Sequence, residues 1–260
     1  MVIPERFASA INTHLLGNMI HVKDYPLILY IVGRPGMGKT WQLRHHLEAL
    51  GFAVYSISSA DLEDKNAGEP AKLIRTQYVN ASMNLSSGNP SALVIDDIDT
   101  TVGEWEQNTG TVNHEGILAF LMHIADNPTH IEIIGNVNRV PIFFTGNCFE
   151  RLYEPLRRPG RMIKFEWEPT REEKAEIVAS IFSFTDKDIS RKLVMSYPNE
   201  QISFFSSLLV TETISQLAEI ASNAAFKHIL STPSYKAQLQ TKFLETRDCA
   251  DWSKLAKKPK

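Results

Sequence analysis

The sequence predicts an α/β fold, in which a parallel five-stranded sheet flanked by helices is followed by a small α-helical lid domain. Two observations predict it. Five short apolar runs alternate with helix-like segments up to residue 169, and such alternation is typical of parallel sheets with right-handed connections. After Pro169 the periodicity is helical only. The predicted domains are an α/β domain over 1–169 and a helical domain over 170–245, with 246–260 as a polar tail or the start of a linker.

The five apolar runs are interpreted as buried strands because few polar residues interrupt them, as expected where both faces of a sheet are covered. They are 26–33, 52–58, 91–97, 140–147 and 162–169. The helix-like segments between them are 39–50, 69–86 and 113–126. The helical domain opens with Thr170 and, three residues later, Glu173, which is the spacing of a capping box.

The composition is that of an ordinary globular protein, and it argues against several classes of function. The chain has 260 residues and a net charge of −3, which disfavours nucleic-acid binding as its main task. No apolar run approaches the ~18 residues that cross a bilayer. The first residues resemble neither a secretory signal nor a transit peptide. We therefore expect a cytoplasmic protein with no membrane partner and with free thiols at Cys148 and Cys249.

The loop after the first strand, GRPGMGKT at 33–40, fits the phosphate-binding pattern G-x-x-x-x-G-K-[ST]. Glycines let backbone N–H groups surround a phosphate chain, and the N-terminus of the following helix adds partial positive charge. We expect Lys39 to reach the β- and γ-phosphates and the hydroxyl of Thr40 to ligate Mg²⁺, so the predicted cofactors are ATP and Mg²⁺. The predicted nucleotide-binding residues are Gly33, Arg34, Pro35, Gly36, Met37, Gly38, Lys39 and Thr40.

Polar residues at the ends of two later strands complete the predicted site. Asp96 is expected to hold Mg²⁺ through water, and Asp97 to orient the water that attacks the γ-phosphate. Asn147, at the tip of the fourth strand, is predicted to hold the same water; the alternative is an ordinary turn asparagine. Asp99 is assigned to capping or structure.

Three arginines surround a Pro-Gly turn in PLRRPGRM, residues 155–162. The turn interrupts any helix, so they are not simply the exposed face of one. Arginine suits the stabilisation of charge on a transferring phosphoryl group. Because these residues lie far along the chain from the loop at 33–40, they are placed to reach a neighbouring subunit's nucleotide. The alternative is a solvated basic turn.

The order of phosphate loop, acidic strand end, Asn-tipped strand, arginine turn and helical domain resembles the plan of AAA+ ATPases over about 25–230. This resemblance implies a ring, usually a hexamer, in which Arg158 and Arg161 act in trans on the adjoining subunit. Further stretches resemble Rubisco activase, especially its cyanobacterial members. Among them are NAGEPAKLIR (66–75), HIADNPT (123–129) and LYEPLRRPGRM (152–162). The closer resemblance implies an ATP-driven remodeller that acts on inhibited Rubisco so that tightly bound sugar phosphates leave.

The chain also departs from the activase pattern. It has Asp96-Asp97 where the family tends to have Asn-Asp, and SSLLVT (206–211) where the family carries an arginine-containing stretch. Of two segments that resemble pore loops, 100–116 is shorter than the family's glycine-rich loop and contains Trp105. The other, 59–72, keeps charges and lacks the aromatic residue that strong threading ATPases use. Three functions therefore stay open: a Rubisco-remodelling ATPase, a carboxysome-associated activase-like protein that binds and organises Rubisco with weak or no reactivation, and an ATPase acting on nucleic acid or another client. The location is the cytoplasm, or the carboxysome under the second hypothesis.

Overall fold

The computed structural model describes residues 2–62, 68–101, 112–183, 187–221, 224–248 and 255. It divides the chain into two compact units: Ile3–Glu168, and Pro169–Lys260 together with Met1–Val2. Residues 63–67 and 102–111 of the predicted pore segments lie outside the described residues, and so does most of the predicted tail, 246–260. Nothing is inferred about those segments from the structure.

The unit Ile3–Glu168 combines helices with seven strands among its described residues. Its helices are α1 (Glu5–Met19), α2 (Lys39–Ala49), α3 (Glu69–Ser86), α4 (Ile98–Thr101) and α5 (Val112–Asp126). Its strands are β1 (Ile28–Val32), β2 (Ala53–Ile57), β3 (Ser91–Ile95), β4 (His130–Ile131), β5 (Gly135–Asn136), β6 (Ile142–Gly146) and β7 (Met162–Glu166). Short 3₁₀ turns lie at Ala60–Leu62, Phe149–Arg151 and Glu154–Arg157.

Five of these strands form one parallel sheet in the order β2-β3-β6-β1-β7. They are the five that the sequence predicts, each two or three residues shorter, so the predicted sheet is confirmed. The short β4 and β5 form a separate antiparallel pair. Every residue of β1, β3 and β6 is buried, which explains why these three runs are almost uninterrupted by polar residues.

The register of β1 decides what meets at the carboxyl edge of the sheet. Val32, the last residue of β1, pairs with Gly146 of β6 on one side and with Glu166 of β7 on the other. The loops that leave these strands therefore start side by side. This is the edge at which open α/β sheets bind ligands.

The second unit is helical throughout its described residues. Its helices are α6 (Arg171–Phe182), α7 (Lys187–Ser196), α8 (Ile202–Ala221), α9 (Phe226–Ser231) and α10 (Pro233–Asp248). The capping box at the start of α6 is present: the hydroxyl of Thr170 accepts from the backbone N–H of Glu173 at 3.2 Å, and the Glu173 carboxylate accepts from the Thr170 N–H at 2.7 Å. The predicted helical character of this region is confirmed. Among the described residues, no helix is both long and apolar enough to cross a membrane.

Candidate nucleotide-binding site

The loop between β1 and α2 has the backbone conformation that its glycines allow. Gly36 and Gly38 have φ angles of 72° and 73°, in the left-handed region that other residues adopt only at a cost. Gly38 caps the N-terminus of α2, which begins at Lys39. The free N–H groups of the first turn of α2 therefore follow directly on the glycine-rich turn, as in sites that bind phosphate.

Trp167, one residue beyond β7, fixes the shape of this loop. Its indole N–H donates to the carbonyl oxygen of Met37 at 3.0 Å, and its own carbonyl lies so close to Gly33 that a Cβ there would collide with it. The amide of Gln42 adds bonds of 3.3 Å and 3.2 Å to the carbonyls of Met37 and Gly38. Arg34 and Pro35, at the tip, are exposed. Trp167 is fully buried, and no pattern in the sequence predicts its bond to the loop.

The indole is itself held from the other side by α1. The ring of Phe7 packs edge-on against Trp167 with centroids 4.8 Å apart, and the guanidinium of Arg6 lies 4.7 Å from the centre of its ring. Arg6 also donates to the carbonyl of Glu168 at 2.9 Å. The first helix of the chain thus supports the phosphate loop through one aromatic side chain.

The ammonium group of Lys39 crosses the mouth of the loop. It donates to the carbonyls of Gly33 at 2.7 Å and Arg34 at 3.0 Å, and to the side-chain oxygen of Asn147 at 3.0 Å. Burial lowers the pKa of this ammonium, and the charges of Asp97 and Asp99 oppose that shift. The predicted phosphate-binding lysine and the predicted water-holding asparagine are therefore in direct contact.

A residue that the sequence analysis did not single out, Thr145 of β6, joins the two predicted metal-binding residues. Its hydroxyl donates to a carboxylate oxygen of Asp96 at 3.1 Å, so the Thr40 hydroxyl, also at 3.1 Å, must be the donor in their contact. Thr145 also accepts from the backbone N–H of Asp97 at 3.3 Å. In the sequence, Thr145 is a polar residue inside an otherwise apolar strand. It comes two positions before Asn147, so the two side chains point to the same side of the strand.

Asp97 lies next to this cluster and has the most unusual environment of the predicted catalytic residues. Its backbone has a φ of 48°, which turns the chain sharply after β3. Desolvation raises the pKa of the Asp97 carboxyl, and the negative charges of Asp96 and Asp99 raise it further. Lys39 partly offsets these effects. A raised pKa makes this carboxylate a better proton acceptor, which suits a residue that orients or activates water.

Asp99 holds the tip of β6 in place. It is almost fully buried, and one of its carboxylate oxygens accepts from the backbone N–H groups of both Asn147 and Cys148, each at 2.9 Å. Gly146 allows this approach, because a Cβ there would collide with Asp99 and with the hydroxyl of Tyr30. Asp99 therefore sets the backbone position from which the Asn147 side chain reaches Lys39.

The two predicted arginines differ in their surroundings. Arg161 makes two bonds to the carboxylate of Asp126, at 2.7 Å and 2.6 Å, and a third to the carbonyl of Pro155 at 2.7 Å. Arg158 is exposed and has no side-chain hydrogen bond or ion pair within the described part of the chain. Among the described residues, neither arginine contacts the loop or the cluster around Thr145, so the structure brings together all the other predicted site residues but not these two.

The donor set at Thr40 and Asp96 fits Mg²⁺. It consists only of oxygen atoms, a hydroxyl and a carboxylate, connected through the Thr145 hydroxyl. Within the described ranges no group of three or more His, Cys, Asp or Glu side chains is placed to hold a metal ion. Mg²⁺ is usually bound by one or two carboxylates together with substrate phosphates and water, so this small donor set is sufficient.

The order of these features is that of a known family, and comparison with known proteins decides the assignment. The ATPase family associated with various cellular activities (AAA) matches residues 29–169. The chain belongs to the AAA family. The predicted superfamily is confirmed, and it is a family of ATPases.

This AAA ATPase is also similar to proteins named ribulose bisphosphate carboxylase/oxygenase activase. It is 43% identical over 218 residues to that of an Anabaena species, which is 79% of this chain and 52% of the relative. It is 41% identical to that of a Nostoc species, with the same coverage, and 40% identical to the chloroplastic protein of Chlamydomonas reinhardtii, of which 53% is covered. The chain spans about half the length of the curated relatives it matches.

The role of Asp99 can be tested by the substitution Asp99→Ala. It leaves the part-buried backbone N–H groups of Asn147 and Cys148 without their acceptor, so we expect the free energy of unfolding to fall by about 1–3 kcal/mol. Asp61→Ala is the control, since the Asp61 carboxylate also accepts two bonds, from the N–H and hydroxyl of Ser58, but is exposed. Water replaces those bonds, and the loss should stay below about 1 kcal/mol. Equal losses in urea unfolding of the two variants would contradict the assignment.

Proposed function

We propose that the chain is the ATPase part of a Rubisco remodeller, which uses ATP and Mg²⁺ to release inhibitory sugar phosphates from Rubisco. The observation that carries this proposal is the similarity to proteins named Rubisco activase over 218 residues. The cluster of Lys39, Asp97 and Asn147 at the sheet edge supports the ATP-dependent part of it.

The residues of the site divide the work of ATP hydrolysis between them. The N–H groups at the start of α2 and the ammonium of Lys39 bind the β- and γ-phosphates. Lys39 gives up its contacts to the carbonyls of Gly33 and Arg34 when it does so. Asp97 orients the attacking water and accepts its proton, and the Asn147 amide holds that water in position. Thr40 and Asp96 hold Mg²⁺, which neutralises charge on the phosphates when it is bound.

The two arginines of the turn at 155–162 take different parts in this proposal. In a homo-oligomeric ring, most simply a hexamer, the exposed Arg158 reaches the nucleotide of the neighbouring subunit and stabilises charge on the γ-phosphate. Arg161 was predicted to act in the same way. Its three bonds to Asp126 and Pro155 favour a role in holding the turn that presents Arg158.

A second candidate is a Rubisco-binding organiser of the carboxysome that reactivates weakly or not at all. The observation that favours it is the segment 206–211, which lies inside α8 and contains no arginine. A helical domain without that charge has one fewer means of responding to the γ-phosphate. Under this hypothesis the chain keeps nucleotide binding and uses it to control contact with Rubisco.

Nucleotide binding is tested with Lys39→Ala. Ligand at a hundredfold excess over its Kd stabilises a protein by about 2.7 kcal/mol, and we expect this for the wild type with ATP and Mg²⁺. Lys39→Ala should lose most of that stabilisation because Lys39 binds the phosphates. Lys72→Ala is the matched control, since Lys72 is an exposed lysine whose ion pair within the described part of the chain is with Glu69, one turn away. Thermal unfolding with and without nucleotide measures the effect, and an unchanged shift in Lys39→Ala would refute the assignment of the loop.

The two arginines are separated by comparing Arg158→Ala with Arg161→Ala. Arg158→Ala should reduce ATP hydrolysis by roughly a thousandfold, the contribution of an arginine supplied in trans, without changing ATP binding or stability. Arg161→Ala should lower the free energy of unfolding by about 1 kcal/mol, since a partly exposed ion pair is lost. Asp126→Ala should reproduce the stability effect of Arg161→Ala. Wild-type hydrolysis by the assembled Arg158→Ala protein would show that Arg158 is a solvated turn residue.

The proposed function itself is tested with Rubisco inhibited by a bound sugar phosphate. Carboxylation is followed over time after addition of the chain with ATP or with ADP. Recovery with ATP alone, abolished by Lys39→Ala, is the expected result. Binding of Rubisco in a sedimentation assay without recovery would support the organiser instead. Neither recovery nor binding under any nucleotide condition would rule out both and leave another client.

A further inference from the structure

The carboxylate that the proposed site needs for Mg²⁺ already has a cation of the protein beside it. The guanidinium of Arg44 forms an ion pair with Asp96 through the carboxylate oxygen that Thr145 does not use. Both oxygens of Asp96 therefore have a donor from the chain itself. The phosphate-loop pattern ends at Thr40, and the sequence analysis assigned no role to Arg44.

The position of Arg44 follows from the geometry of α2. Arg44 comes four residues after Thr40, so the two side chains lie on the same face of the helix, one turn apart. Asp96 directly follows β3 and faces that side of α2. The arginine thus approaches the carboxylate from the helix side, next to the hydroxyl that is expected to share the metal.

The ion pair between Arg44 and Asp96 stabilises the fold. The Asp96 side chain is only 10% exposed, and a carboxylate at that depth is costly unless a positive charge and hydrogen bonds accompany it. Arg44 supplies both. The Arg44 side chain is 37% exposed, so its guanidinium can turn towards water when another cation pairs with the Asp96 carboxylate.

The same ion pair weakens the attraction of Asp96 for Mg²⁺. A positive charge in contact with a carboxylate reduces the negative potential that attracts a divalent ion, and the effect on a doubly charged ion is twice that on a single charge. Lys39, which is also positive, is needed for the phosphates. Arg44 makes no hydrogen bond or ion pair to the loop 33–38 among the described residues, so its charge is not explained by phosphate binding.

We propose that Arg44 is a built-in competitor of Mg²⁺ for Asp96, and that it sets the Mg²⁺ concentration at which the nucleotide complex forms. Arg44 stabilises Asp96 while no metal ion is bound and releases it when Mg²⁺ arrives with nucleotide. The proposal rests on the nucleotide site proposed above. It makes nucleotide binding by this chain responsive to the supply of free Mg²⁺.

The test is a Mg²⁺ titration at a fixed, saturating concentration of a non-hydrolysable ATP analogue, with the unfolding temperature as the readout. Arg44→Gln and Arg44→Ala remove the charge in two ways, so that one misfolded variant does not end the test. In both, the Mg²⁺ concentration at half-maximal stabilisation should fall about tenfold, the effect of one charge on a nearby divalent ion in a hydrated site. Arg44→Lys keeps the charge and should stay within about twofold of the wild type.

The control is Arg191→Gln, which removes an arginine from an exposed pair with Asp188 in the helical unit and should leave the half-point unchanged. Without Mg²⁺ and nucleotide, the two neutral variants should unfold at a lower temperature than the wild type, because Asp96 has lost its partner. A lower unfolding temperature with an unchanged half-point would make Arg44 purely structural and overturn the inference. So would a half-point that rises. If the wild type shows no stabilisation by the analogue at any Mg²⁺ concentration, the proposed nucleotide site has failed first.

Discussion

The pairing of β1 with β6 is the constraint on which the rest of the site depends. It is a continuous parallel ladder from Ile28 and Ile142 to Val32 and Gly146, and it brings the phosphate loop and the tip of β6 out of the sheet together. A shift of one residue would turn the side chains of Thr145 and Asn147 to the other face of the sheet. The contact between Lys39 and Asn147 therefore depends on the register of β1 and β6, and not only on the local conformation of the two residues.

Three carboxylates lie close together at this edge of the sheet, and each has different surroundings. Asp99 accepts backbone N–H groups and is structural, while Asp96 is neutralised by Arg44. The Asp97 carboxylate accepts no hydrogen bond from the described residues, and burial and its acidic neighbours raise its pKa while Lys39 partly opposes them. A raised pKa makes a carboxylate a better proton acceptor, so Asp97 is suited to take a proton from water.

Much of the fold could be predicted from the sequence, and the reason is local. Buried parallel strands appear in the sequence as apolar runs. The start of α6 is marked by the capping box of Thr170 and Glu173, a pattern that spans four residues. The strand ends were less accurate. The apolar run predicts one strand over 162–169, whereas β7 ends at Glu166 and the indole of Trp167 donates to the phosphate loop. A hydrophobic residue after a strand carries no signal of a bond to a loop more than a hundred positions earlier.

By itself, the sequence determined the α/β class, the phosphate loop and the acidic strand end, because each depends on residue types at short, fixed spacings. Only the tertiary structure decided which partners those residues have. It joined Thr40 to Asp96 through Thr145, paired Arg44 with Asp96, and separated Arg161, held by Asp126, from the exposed Arg158. These pairings cross between strands and helices far apart in the chain. They depend on sheet order and register, which spacing along the sequence does not encode.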